Sequence, residues 1–188
     1  MHKETAILFG QKEEFAIEIK PYKIPQKFYL RLWIKSKAIG DYKRGGSLDY
    51  LINEFFKFAA SYKNLYEEDF ISLSDFQIFN ELVSYIEKGY SIEEEEKLFL
   101  RMERYSFNIA DCQLNEFTIL RLYLSSEKII KFLIYEMDGK TEPEFYSFDI
   151  AENIFFKTYK SFMMYAFKNR LKKNGLFFPD NFSVEDIQ

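Results

Sequence analysis

Between positions 28 and 34 the side chains Phe28, Leu30, Leu32 and Ile34 alternate with Tyr29, Arg31 and Trp33. A two-residue period places the first set on one face of a strand and the second on the other, an order that no helix reproduces. A second alternating segment, 14–20, precedes it, and an apolar run, 4–9, opens the chain. Gly10-Gln11-Lys12 and the stretch from Pro21 to Pro25 separate these runs, because such residues do not easily continue a ladder. The N-terminal third therefore reads as a small antiparallel unit in which Phe15, Ile17, Leu30 and Trp33 are scaffold. Lys35-Ser36 is expected as the turn of a tight hairpin leading to Ile39-Gly40-Asp41, although such turns favour Asn-Gly for its positive φ angles.

After Lys43-Arg44-Gly45-Gly46, Ser47 suits the N-cap of a helix with Leu48, Leu51, Ile52, Phe55, Phe58, Ala59 and Tyr62 at helical spacing. Ser74-Asp75-Phe76-Gln77 matches a capping box and predicts a helix to Gly89, with Phe76, Phe79, Leu82, Val83 and Ile86 inward. Ser91-Ile92-Glu93-Glu94 predicts another, through about Arg101, with strand character returning from Arg104 to Ile109. Segments 116–124 and 127–136 are almost continuously apolar and meet at Ser125-Ser126, which suits central strands packed on both faces. Asp138-Gly139-Lys140 turns the chain into a last strand, Glu144 to Phe148. Asp149-Ile150-Ala151-Glu152 is expected to cap the longest helix, about 150–173, whose last turns carry Lys168, Arg170, Lys172 and Lys173 before Asn174-Gly175. The pattern is that of an α+β fold: a mainly antiparallel sheet of about six to seven strands against three to four helices. It forms a single domain over 1–175, followed by a C-terminal tail, 176–188.

A chain of 188 residues with 47% hydrophobic and 20% aromatic content can bury a large core. Twenty-two Phe and 14 Tyr against 7 Gly and 4 Pro exclude a disordered or low-complexity chain. Thirty acids and 26 bases give a formal charge of −4, which points away from nucleic acid and toward a basic partner. One cysteine, Cys112, cannot form an internal disulfide, and His2-Lys3-Glu4 followed by Ala6-Ile7-Leu8-Phe9 does not read as a secretory leader. The cytoplasm is the expected compartment. No apolar run reaches the roughly 18 residues that cross a bilayer, so no membrane association is expected.

Nucleophilic triads need a histidine, and the single one, His2, sits at a terminus. Cys112 has no base near it in sequence, and zinc has one His and one Cys to choose from. The carboxylates Asp41, Glu67-Glu68-Asp69 and Glu93 to Glu96 could serve acid-base or hard-metal chemistry. Glu93 to Glu96, however, fall in a first helical turn, where negative charge offsets the macrodipole. Gly45-Gly46 lacks the spacing of a phosphate-binding loop. No catalytic residue, metal or cofactor is expected.

The strand Phe15-Ala16-Ile17, the Trp33-bearing hairpin and Ile39-Gly40-Asp41 resemble the N-terminal signature of an immunity-protein family from bacterial polymorphic toxin systems, the one numbered forty-two. More loosely, Tyr105-Ser106-Phe107-Asn108-Ile109, two apolar strands and a closing helix follow in the family's order. The chain departs from the pattern at Lys35-Ser36, where the family often has Asn-Gly, in extra helical material between about 64 and 100, and in its tail. The resemblance implies a small cytoplasmic antidote, encoded beside a secreted or contact-delivered toxin, that binds the toxin and blocks its active site or an essential surface. Its acidic balance suits a basic toxin domain such as a nuclease. The expected partner-binding patch combines Asp41 and Tyr42 with the acidic loop Glu67, Glu68 and Asp69, on a monomer or weak homodimer. Two rival readings are a self-associating structural or regulatory module and an enzyme that uses converging carboxylates.

Overall fold

The alternation over 28–34 becomes a central strand of an antiparallel sheet with the order β1 (Ile7–Gln11), β2 (Phe15–Pro21), β3 (Lys27–Ile34), β4 (Lys37–Ile39). A two-residue strand, β5 (Gly46–Ser47), pairs with the start of β3. The computed structural model describes residues 5–21, 27–40, 46–83, 91–107, 117–137 and 143–171. Ile17 pairs with Leu32 and Ile19 with Leu30, and all four side chains are buried, so the register follows from the apolar face. On the opposite face Trp33 donates its indole N–H to Glu18 at 2.5 Å, with Lys12 Nζ 4.0 Å from the indole ring.

Helix α1 (Leu48–Ser61) follows, then 3-10 turns at Tyr62–Asn64 and Glu68–Ser72, then α2 (Asp75–Val83) and α3 (Ile92–Tyr105). A second antiparallel sheet contains β6 (Phe117–Leu124), β7 (Ile129–Glu136) and β8 (Glu144–Ala151) in sequence order, and α4 (Glu152–Leu171) closes the described chain. The class is the expected α+β, with the strands divided between two sheets rather than gathered in one. Helix α4 joins them, since it packs on β1 and β2 of the first sheet and on β7 and β8 of the second. At that joint the Phe155 ring lies 4.9 Å from Phe15 and 6.1 Å from Phe132. Phe55 and Phe58 bring α1 onto the same ring.

Several boundaries differ from expectation for identifiable reasons. Gly10 and Gln11 continue β1 by pairing with Ala16 and Phe15, so the connection is residues 12–14. Phe76 is 47% exposed and meets Phe145 edge-on, while Ile78 takes an inward position beside Phe79 and Leu82. Helix α3 runs on to Tyr105 because that ring is fully buried, and extended pairing begins only with the Ser106 to Leu120 bridge. Strand β7 starts at Ile129 after a four-residue turn, 125–128, in which Lys128 has a φ of 52°. Asp149 to Ala151 belong to β8 and pair with Lys131, Ile130 and Ile129, so they do not cap α4. The capping box at Ser74 is present, with Gln77 and Ser74 bonding reciprocally. Strand β6 is buried on both faces from Ile119 to Tyr123 although it lies at the edge of its sheet. His2, Lys43 to Gly45, Gly89, Cys112, the expected turn at Asp138 to Lys140, the helix end at Asn174-Gly175 and the tail lie outside the described residues.

The Lys35-Ser36 turn does form, at φ values of 48° and 69°. Both amides are held from the neighbouring turn: Lys35 donates to the Glu14 carbonyl at 2.9 Å and Ser36 to that of Lys12 at 2.7 Å. These bonds offset a left-handed backbone that costs a side-chain-bearing residue about 1–2 kcal/mol. Gly10, at a φ of 86°, marks the other close approach. A Cβ there would stand 2.3 Å from the Phe15 carbonyl oxygen and 2.5 Å from Thr158 Oγ1 on α4, which itself donates to that carbonyl at 3.3 Å. Gly10→Ala is therefore expected to lower stability by about 3 kcal/mol or more in urea unfolding. Ser36→Gly is expected to raise it by about 0.5–1 kcal/mol with an unchanged denaturant slope, as relief of backbone strain outweighs the glycine's added unfolded-state entropy.

Candidate partner-binding surface

The chain between α1 and α2 is fixed to β6 by its backbone: the Leu65 carbonyl accepts the Tyr123 amide at 2.8 Å. Two residues later Glu67 turns inward. Its carboxylate accepts from Arg101 Nε at 3.1 and 3.2 Å, from Arg101 Nη2 at 2.6 Å and from the Tyr105 hydroxyl at 2.8 Å. The Phe70 ring packs edge-on against Tyr105, and the Arg101 guanidinium lies 5.7 Å from the same Phe70 ring. Burial pushes the Glu67 carboxyl up, but the hydrogen bonds from Arg101 and Tyr105 and the charges of Arg101 and Arg104 outweigh it, leaving the group below the usual glutamate range. Glu67 is thus a strut that holds the Glu68–Ser72 turn against α3.

That strut fixes what the turn and the helix present outward. Glu68, Asp69 and the 76% exposed Ile71 project from the turn. On α3, Ile92, Glu95, Glu96, Phe99, Leu100 and Glu103 recur at three- and four-residue spacing and all are exposed, Ile92 at 86% and Leu100 at 56%. Tyr105 alone of this 14-residue helix is fully buried among the described side chains. Glu94 belongs to the capping box with Ser91, whose hydrogen bonds lower its pKa, and Glu93 pairs with Lys97 at 3.0 Å. The result is an apolar and acidic outward face on α3, with the acidic turn held against the side of the helix that carries Arg101 and Tyr105.

Of the five residues expected to meet a partner, Glu67 is turned inward, and Glu68 and Asp69 stand on the exposed turn. Asp41 and Tyr42 lie outside the described residues. The preceding Gly40 carbonyl accepts Arg31 Nε at 3.0 Å, which anchors the start of that segment.

Among the described residues, two clefts border α1. The larger, about 1180 Å³, lies beside the start of α4, where Glu152 accepts from the Tyr62 hydroxyl at 2.6 Å and from the Tyr123 hydroxyl at 3.1 Å. Burial and this carboxylate raise both phenol pKa values, so the hydroxyls remain donors. Lys63, Lys128, Lys157 and Lys160 line the same cleft. The smaller, about 320 Å³, opens between α1 and α3 and includes Arg121 in its wall. Arg121 escaped the reading of the strand pattern, yet a single charge inside the apolar run Phe117 to Leu124 was a legible signal. Among the described residues no group of three or more His, Cys, Asp or Glu side chains is placed to hold a metal ion.

An α+β scaffold with a rigidly mounted acidic and apolar face has the build of a protein-binding module. Residues 7–165 match the model of the family Immunity protein 42, and the chain belongs to that family. It is a toxin-neutralising immunity protein, and its partner is a cognate toxin. A crystal structure of CdiI from Burkholderia dolosa AUO158 has a similar fold, with a TM-score of 0.56 and 10% identity over 85% of this chain and 99% of that one. No curated protein matches the chain. Among the described residues no helix is long and apolar enough to cross a membrane.

Because the folded pKa of Glu67 is depressed, its contribution to stability is complete above the ordinary value of 4.5 and is lost as pH falls through the lower folded value. Glu67→Gln is expected to lower stability at pH 7 by about 1–2 kcal/mol. It is also expected to flatten the acid limb of the stability curve, both read from urea midpoints between pH 3 and 7.

Proposed function

We propose that this immunity protein neutralises its toxin by laying the outward face of α3 and the Glu68–Ser72 turn over the toxin's active site or an essential neighbouring surface. The observation that carries the reading is the exposure of Ile92, Phe99 and Leu100 among Glu95 and Glu96 on α3, with Glu68 and Asp69 exposed on a turn that Glu67, Arg101 and Tyr105 hold against that helix. Apolar side chains at the centre supply buried area, and the acidic surround favours a basic toxin domain, a nuclease being the class that suits it. Asp41 and Tyr42 extend the same proposal from the exit of the N-terminal hairpin. We read the work as binding rather than catalysis, and the engagement of Glu152 by two tyrosines and of Glu54 by Lys57, which gives these two cleft carboxylates structural partners, supports that reading. Neutralisation takes place in the cytoplasm, by a monomer or weak homodimer.

Binding is tested by titration calorimetry against a catalytically disabled form of the toxin encoded beside this chain, and protection by co-expression with the active toxin. Phe99→Ala with Leu100→Ala is expected to weaken binding at least tenfold, and Glu68→Lys with Asp69→Lys to slow association and reduce its salt dependence. The Glu68→Lys with Asp69→Lys variant should unfold at the wild-type midpoint, since these side chains are exposed, and the Phe99→Ala with Leu100→Ala variant should keep a cooperative transition. Undiminished affinity and protection in both would assign recognition to another face. A stable homodimer in light scattering, abolished by Leu100→Ala, would turn the face over to self-association.

A further inference from the structure

Among the described residues, the buried side-chain polar atoms left without a hydrogen-bond partner are Nε and Nη1 of Arg121. The residue is 4% exposed, and its guanidinium is 4.6 Å from the Phe58 ring and 4.7 Å from Phe107. Nη2 donates to the Ser106 carbonyl at 2.5 Å. Aromatic faces attract the charge but accept no conventional hydrogen bonds, so the other donors stay unsatisfied at a cost. Desolvation is strong enough to draw the Arg121 pKa down to about 9 against the opposing pull of Glu54. Buried donors in that condition call for an acceptor that arrives from outside the chain.

Arg121 forms part of the wall of the 320 Å³ cleft between α1 and α3, and Nε and Nη1, each with under 1 Å² of surface, lie behind that wall, so an acceptor in the cleft reaches them as the guanidinium turns toward it. Lys57 and Arg104 share that wall with Glu54 and Glu103. Lys57 is tied to Glu54 at 3.3 Å, and Arg104 donates to the Asn64 carbonyl. Three cations against two carboxylates leave one positive charge, which matches a monoanion and disfavours a doubly charged phosphate. We propose that this cleft is a carboxylate-binding site, with Arg121 as the buried cation that receives the oxygen. The inference goes beyond the interface proposed above, since the cleft takes a carboxylate whichever face meets the toxin. Two sources fit: an Asp or Glu side chain of the toxin, or a small free carboxylate.

The test uses the full chain with its arginine side chains labelled in ¹⁵N, titrated with sodium acetate against sodium chloride at constant ionic strength. The expected result is a saturable shift of the Arg121 Nε–H resonance. Glu54→Gln, which keeps Arg121 in place, should tighten acetate binding by about threefold or more by removing a like charge. Arg121→Met should abolish binding as read by saturation transfer to the acetate methyl protons, and Arg121→Lys, expected to weaken it in the same measurement, serves where the Met variant does not fold. A resonance that follows ionic strength alone, or crystals grown in acetate with only ordered water on Nε and Nη1, overturns the site. Added toxin that displaces acetate supports the site and assigns it to a toxin side chain. Acetate retained in the complex supports it with a free carboxylate as the source. Failure of the α3 variants to affect toxin binding leaves the acetate result standing, so the two proposals fail separately.

Discussion

The contact among Phe15, Phe132 and Phe155 is the joint on which the rest of the molecule rests. Phe15 and Phe132 stack at 5.7 Å, and Phe155 closes the triangle at 4.9 and 6.1 Å. Each ring comes from a different unit: the first sheet, the second sheet and α4. Neither sheet can bury its inner face alone, because a sheet of three to five strands needs a second layer. The joint supplies that layer to both at once, and Phe55 and Phe58 add α1 to it. Its tightness explains the backbone at Gly10, where the approach of Thr158 leaves no room for a Cβ. It also explains how Lys35 and Ser36 tolerate positive φ, since β2 and β3 are pinned at the Phe15 and Ile34 pair and the two turns meet by backbone bonds.

Three adjacent acids show how position overrides residue type. Glu67, Glu68 and Asp69 are chemically alike, and a sequence offers no reason to separate them. Once Tyr105 is buried at the end of α3, its hydroxyl needs an acceptor and Arg101 beside it needs a counter-charge. Glu67 meets both demands. Its neighbours are left facing solvent, on a turn now too well held to rearrange cheaply. Pre-organisation of this kind reduces the ordering cost of any association made by the outward acids.

The N-terminal strands, their register face and the capping boxes at Ser74 and Ser91 were legible because they rest on local rules of period and capping. Membership of the immunity family was legible from Phe15-Ala16-Ile17, Trp33 and Ile39-Gly40-Asp41. What was not legible depended on partners distant in sequence. Asp149 looks like a helix cap until Lys131, eighteen residues earlier, draws it into a ladder at 3.0 Å. Phe76 has the spacing of a core residue, yet Ile78 takes the inward place once α2 is set by Asp75 against Lys131 and Ser147. The division into two sheets was beyond strand patterns, since alternation reports a buried face and not the layer that buries it. Arg121 was visible as a lone charge in an apolar strand, but its significance lies in the absence of an acceptor, which only the packed chain reveals.

The net charge of −4 conceals a segregated surface, and the segregation carries more information than the sum. Lys63, Lys128, Lys157 and Lys160 outnumber Glu127 and Glu152 in one cleft, while Glu68, Asp69, Glu95, Glu96 and Glu103 outnumber the exposed Lys97 and Arg104 along the turn and α3. The end of α1 separates these regions, and Ser61 lines both clefts. A basic protein surface approaching such a molecule is drawn to one side and repelled from the other, so its orientation is biased before contact. Repulsion also rejects partners whose charge is arranged the other way, which attraction alone cannot do. A uniformly acidic shell of the same net charge would attract basic proteins without orienting them. For a basic partner that meets the α3 side, the lysines of the cleft would therefore favour one orientation without touching it.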